Sequence, residues 1–197
     1  TRYPKMIDAY IRITQFIVEA ALKKAHRVDY ICNQGNHSQS NDIWMTALVR
    51  AVYGPSGRVK ALSNKSVIIP YRMGDTFVLI HHGHKMKPER LRNVMSTDYP
   101  MDWGETRFRY IDGGHVHHSQ RKELEGCLFE SWNNLAASDA HAHEGGWRSR
   151  QCMSLCVRSR TYGEAERYVM PIERVRDIIR QRNPDHYNPT ERRAFSV

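Results

Sequence analysis

Several things are missing from this sequence, and each absence narrows the reading. No apolar run reaches the roughly 18 to 20 residues that a membrane-spanning helix needs. No signal-like start of basic, apolar and small residues opens the chain. The expectation is a cytoplasmic protein with no membrane partner. Cysteine is scarce: there are four, and no Cys-x-x-Cys pair among them. That excludes a zinc ribbon and leaves Cys32, Cys127, Cys152 and Cys156 as expected free thiols. Internal repeats, low-complexity segments and linkers are also absent. Lysine disappears after the middle of the chain: from Arg148 onward there are 11 Arg, 6 acids and no Lys. Position 1 is Thr rather than Met, the start expected of a piece of a longer protein.

What is present describes one domain. The 197 residues are 40% hydrophobic, enough for a single real core. The net charge is +9 with a pI near 9.6, a balance that favours a polyanionic partner through attraction and counterion release. Nucleic acid is the expected partner, and arginine is the better phosphate fork.

Met6, Tyr10, Ile13, Ile17 and Ala20 or Ala21 keep helical spacing, which predicts a helix from Pro4 to about Lys24. Val28 to Cys32 reads as a short strand. Asn41 or Asp42 is expected to cap a helix reaching about Val52, with Ile43, Trp44, Ala47, Leu48 and Ala51 inward. Strands are expected over Ser66 to Tyr71 and Thr76 to His81, with Met73-Gly74-Asp75 as the turn. Pro88 opens a helix to about Met95, and a loop holds Pro100 and Gly104. Further strands are predicted at Phe108 to Ile111, Lys122 to Trp132 and Met153 to Arg158. Pro171 opens a last helix to about Arg182, with Ile172, Val175, Ile178 and Ile179 inward. Residues 1–182 form the predicted domain and 183–197 an irregular tail. Alternating strands and helices give an α/β layered fold, and the later strands point to a second sheet.

The histidines carry the functional signal. Gly35-Asn36-His37-Ser38 follows the first strand. His81-His82-Gly83-His84 follows "TFVLI". His115-Val116-His117-His118 follows "FRYIDGG". Each group sits where a strand runs out into a loop, the edge at which α/β sheets bind ligands. Imidazole and carboxamide groups suit a divalent transition metal, and neighbouring glycines let backbone crowd a small object.

Taken together, GNHS, HHGH and GHVHH resemble the last three motifs of the calcineurin-like metallophosphoesterases, in the right order. The resemblance covers roughly residues 5 to 170. The stretch "WNNLAASDAHAHEGGWRSRQCMSLCVRSRTYGEAERYV" is similar to phage and bacterial repair-exonuclease-like members. The resemblance implies a four-layer α/β/β/α sandwich holding two divalent metal ions, Mn, Fe or Zn. It implies that Asn36, His82 and His115 bind one metal and His117 the other. It implies that His37 contacts the scissile phosphate and serves the leaving oxygen. Two cations about 3.5–4 Å apart would then clamp the phosphate and activate a water.

The family also opens with an Asp-x-His and a Gly-Asp motif, and neither stands upstream of GNHS. The fold is therefore expected to be N-terminally incomplete, with the first-motif ligands outside this chain. Gly74-Asp75 and Asp139-Ala140-His141 carry the right letters in the wrong places, and a surface role is expected for Asp139, His141 and His143. The leading functional expectation is a metal-dependent phosphodiesterase or nuclease acting on nucleic acid, with Arg148, Arg150, Arg158 and Arg160 as phosphate contacts. The alternatives are a phosphatase of nucleotides or phosphoproteins, and a degenerate nucleic-acid-binding subunit.

Overall fold

A computed structural model describes residues 2–63, 65–135, 144–146 and 148–183. Asp139, His141, His143 and the tail from 184 lie outside them. The helices are α1 (Arg2–Leu22), α2 (Gln39–Tyr53), α3 (Pro88–Thr97), α4 (Pro100–Glu105) and α5 (Ile172–Arg182). The strands are β1 (Val28–Tyr30), β2 (Val59–Ala61), β3 (Ile68–Met73), β4 (Thr76–His81), β5 (Phe108–Gly113), β6 (Gln120–Leu124), β7 (Cys127–Ser131), β8 (Cys152–Ser159) and β9 (Gly163–Pro171).

A five-stranded mixed sheet in the order β3-β4-β5-β7-β6 forms the centre. Its side chains alternate between the two faces, so each face has its own chemistry. Phe77, Leu79, Ile111, Phe129 and Cys127 point to one side and bury against Leu91 and Met95 of α3. Pairing of Tyr71 with Val78, and of Val78 with Tyr110, puts all three on the opposite face. Asp112 pairs with Glu130 on that same face.

The opposite face is covered by two separate pieces. The Tyr71 hydroxyl donates to Asp29 Oδ2 of β1 at 2.8 Å. Arg158 of β8 holds Asp112 through two bonds of 2.6 and 2.7 Å, and Arg167 of β9 holds Glu130. The parallel pair β1-β2 and the antiparallel pair β8-β9 thus share one layer. Outside β1-β2, Val18 of α1 and Val49 of α2 pack with Val59 in a second apolar cluster. Helix, sheet, split sheet, helix is the four-layer α/β/β/α order. Gly163, at φ +70°, lets the β8-β9 turn lie on the sheet, since a Cβ there would meet Tyr110 Oη at 2.6 Å.

Several elements depart from their sequence patterns. In α1 the inward row includes Thr14 and Val18, while Met6, Ile13 and Ile17 are exposed. In α2 the buried residues are Asp42, Met45, Thr46 and Val49, and Ile43 and Trp44 face out. Both helices are apolar on two sides, so spacing alone selects the wrong row. Asp42 is not the cap: Ser38 is, and Asp42 lies in the first turn. The residues around Pro100 form α4 rather than a loop. Lys122 to Trp132 is not one strand but the hairpin β6-β7, turned at Gly126 with φ +81°. Later strands β5 to β7 join the first sheet, and only β8-β9 stands apart. In α5 no residue is fully buried and Ile179 is exposed.

Candidate metal centre

Strands β4 and β5 are parallel, so their C-terminal ends fall at one edge of the sheet. His82 leaves β4 there and His115 leaves β5. The two loops are tied by a backbone bond of 2.9 Å from the Gly114 amide to the His82 carbonyl. Gly83, at φ +104°, allows the approach: a Cβ on it would lie 3.5 Å from Gly114 O and His115 Cβ. The imidazoles of His82 and His115 then meet edge-on with centroids 5.3 Å apart.

The loop after β1 reaches the same edge. Asn36 Oδ1 lies 2.9 Å from His82 Nε2. Nε2–H donates to this oxygen, and the spacing is also one that two ligands of a single ion, each about 2.1 Å from it and at right angles, would take. The ring of His82 is biased toward its neutral form. Burial lowers its pKa first, and the neighbouring His115 and His84 rings lower it further. A neutral imidazole keeps a lone pair for a metal. His81 is the structural member of the pair. It is fully buried, its Nδ1 accepts the Gly83 amide at 2.9 Å, and burial pushes its pKa down to about 4.

The GNHS loop owes its shape to Asp42. Its Oδ2 accepts the Gly35 amide at 2.9 Å and the Ser38 hydroxyl at 2.6 Å. Its Oδ1 accepts the Tyr10 hydroxyl at 3.1 Å. Asp42 is thus a buried carboxylate that sets the turn carrying Asn36 and His37. Its sequence signal is a Ser and an Asp four residues apart across a turn, which resembles a capping pattern closely and hides the role. Burial raises the pKa of the adjacent Cys32 thiol, whose Sγ lies 3.1 Å from Tyr10 Oη.

His37 is exposed on the turn beside Asn36. His115 and His117 are the two non-glycine residues with positive φ among those described, at 61° and 56°. Such backbone is costly for a residue with a Cβ and gathers at functional sites. A bond of 2.7 Å from the Val116 amide to the Gly114 carbonyl closes a three-residue turn around His115. The resemblance assigns His84 no role, yet its ring centroid is 5.3 Å from that of His82. The clustering "HHGH" is its visible signal.

Asn36 Oδ1, His82 and the His115 ring are brought together at this edge, and amide oxygen and imidazole are donor types that Mn, Fe or Zn accept. Among the described residues no three His, Cys, Asp or Glu side chains are placed to hold an ion. Gly74-Asp75 sits at the opposite end of the six-residue β4, about 20 Å from His82. Arg148 and Arg150 are exposed on the segment leading into β8. Arg158 is not a phosphate contact: its side chain is 8% exposed and bound to Asp112.

The chain matches no family model and no curated protein. Among solved structures it is similar to Vps29 from Entamoeba histolytica. For a single mutant of that protein the identity is 12%, over 79% of this chain and 88% of that chain, with a TM-score of 0.40. For the wild-type protein complexed with Zn2+ the identity is 11%, over 78% and 88%, with a TM-score of 0.37. For a double mutant it is 14%, over 64% and 65%, with a TM-score of 0.33. No described helix is long and apolar enough to cross a membrane.

Proposed function

We propose that this chain builds a metal-dependent phosphoester hydrolase of the calcineurin-like kind, acting on nucleic acid. The observation that carries the reading is Asn36 Oδ1 at 2.9 Å from His82 Nε2, with the His115 ring beside them. Asn36, His82 and His115 would hold one ion, and His117 would contribute to a second. Bound divalent ions would polarise the phosphoryl group and supply hydroxide near neutral pH. His37 is exposed on the same turn as Asn36. There it binds a phosphate oxygen and donates a proton to the leaving oxygen. Asp42 positions both residues through the Gly35 amide and Ser38. The nucleic-acid preference rests on the +9 charge and on Arg148 and Arg150, whose guanidinium groups fit backbone phosphates.

The test is manganese-stimulated hydrolysis of bis(p-nitrophenyl) phosphate and of a single-stranded oligonucleotide. With the first-motif ligands supplied, the protein is expected to hydrolyse both, and His37→Ala to lose about 100-fold or more in rate. If neither ester is cleaved while DNA is bound in a salt-sensitive way, the reading fails and the protein is a binding subunit.

A further inference from the structure

A second cavity adjoins the metal edge and takes no part in the chemistry above. Its volume is about 320 Å³. Gly114, which lines it, also backs onto His82: a Cβ on Gly114 would lie 3.4 Å from His82 Nδ1. The cavity therefore begins one residue's thickness from the proposed metal donors. Its walls are of two kinds. Met86, Val116 and Phe129 are apolar, and Phe129 is buried against the core. Lys85, Lys87 and Gln120 are exposed and polar.

Two further observations point to a ligand. His84 also lines the cavity, and its Nδ1 is buried with no hydrogen-bond partner. An unpaired buried ring nitrogen is costly unless something binds it. The lysines stand apart as well: among the described residues neither Lys85 nor Lys87 makes an ion pair, although the charge of Lys87 reaches Glu89. The nearest acid in sequence, Glu89, is taken by Lys122 at 2.5 Å.

An apolar wall, one carboxamide and two ammonium groups complement the parts of a nucleotide. The base lies on the apolar side, its edge meets an amide that both donates and accepts, and the phosphate meets the lysines. The volume is at the lower end of the roughly 300–1,000 Å³ of ligand pockets, which suits one nucleotide and not a duplex. We propose that this cavity holds a single unpaired nucleotide next to the scissile phosphate, so that the substrate is a single-stranded end. The assignment rests on the hydrolase reading of the adjoining edge.

The experiment measures equilibrium binding of a 5′-phosphorylated thymidine dinucleotide, with thymidine monophosphate, inorganic phosphate and a blunt duplex as competitors. The variants are Lys85→Ala with Lys87→Ala, and Gln120→Trp, which fills the cavity from an exposed position. Hydrolysis of bis(p-nitrophenyl) phosphate is followed in parallel. Dinucleotide affinity is expected to fall about tenfold in each variant. The slope of log affinity against log salt is expected to fall by about 0.7 for each lysine taken away from the phosphate. Hydrolysis of the small ester is expected to stay within about twofold of native in both variants. Native-like dinucleotide binding by both variants overturns the pocket, and so does competition by inorganic phosphate or duplex as strong as that of the dinucleotide. If no protein hydrolyses the small ester but the variants still lose the dinucleotide, the hydrolase reading fails and the nucleotide pocket stands.

Discussion

The two β layers of this protein are held by different forces. The five-stranded sheet presses Phe77, Leu79 and Ile111 against Leu91 and Met95, all with no exposed surface. Its partner layer comes in two pieces, which reach the sheet through polar pairs: Tyr71 with Asp29, Arg158 with Asp112, Arg167 with Glu130. The β8-β9 pair even turns Met153, Leu155 and Val157 outward and Arg158 inward. An apolar core is non-directional and tolerates small shifts, whereas bidentate ion pairs fix one register. The sheet supplies stability, and the ion pairs determine where the second layer sits over the sheet.

The largest effect follows from breaking the first half of that comparison. Phe77→Ala removes a fully buried ring from the core and should cost about 3–5 kcal/mol in denaturant unfolding. Breaking the second half should cost slightly less but behave differently. Arg158→Met leaves Asp112 without its partner, at about 3 kcal/mol, and Asp112→Leu in the same chain should recover most of that loss. Simple addition of the two single effects would show that the pair is not coupled.

Acid sharpens the same contrast. Burial alone would raise the Glu164 pKa, but hydrogen bonds and charge from Arg167 outweigh it and the net shift is downward. A carboxylate with a lowered folded pKa contributes stability that is present above the unfolded value, about 4.3, and lost as pH falls through the folded one. Hydrogen exchange should therefore loosen β8-β9 below about pH 4 while β4 and β5 stay protected. Simultaneous loss of protection in both layers would contradict the division. The smallest effect belongs to the site's support. Asp42→Ala leaves the Gly35 amide without its acceptor, at about 1–3 kcal/mol, and should weaken metal binding by about 10-fold or more.

The two layers also differ in how far the sequence reveals them. Thr76 to His81 is legible to the residue, because an apolar run between a Gly-Asp turn and a histidine cluster admits few other structures. The three histidine loops are legible for the same reason, and β4 and β5 place two of them at one edge. Within the His81-His82 doublet, His82 faces Asn36 and His81 is buried. What stays hidden depends on long-range contacts. β8 and β9 carry Arg158 and Arg167, and only Asp112 and Glu130 beneath them explain why those charges turn inward. Asp42 carries a cap's signature, and its buried role depends on Tyr10, 32 residues earlier. The outward Met6, Ile13 and Ile17 share the periodicity of a buried row, and spacing does not say which side of a two-sided helix meets the sheet.

In the reading proposed above, Asn36, His82 and His115 bind one divalent ion where the loops after β1, β4 and β5 meet. X-ray absorption at the zinc edge, on protein loaded with one equivalent of Zn2+, tests it most directly. The expected spectrum has a shell of nitrogen and oxygen at about 2.0–2.1 Å with an imidazole signature, lost in the His82→Ala, His115→Ala double variant. A sulfur shell at about 2.3 Å, as Cys32 would give, or an unchanged spectrum in the double variant, would contradict it.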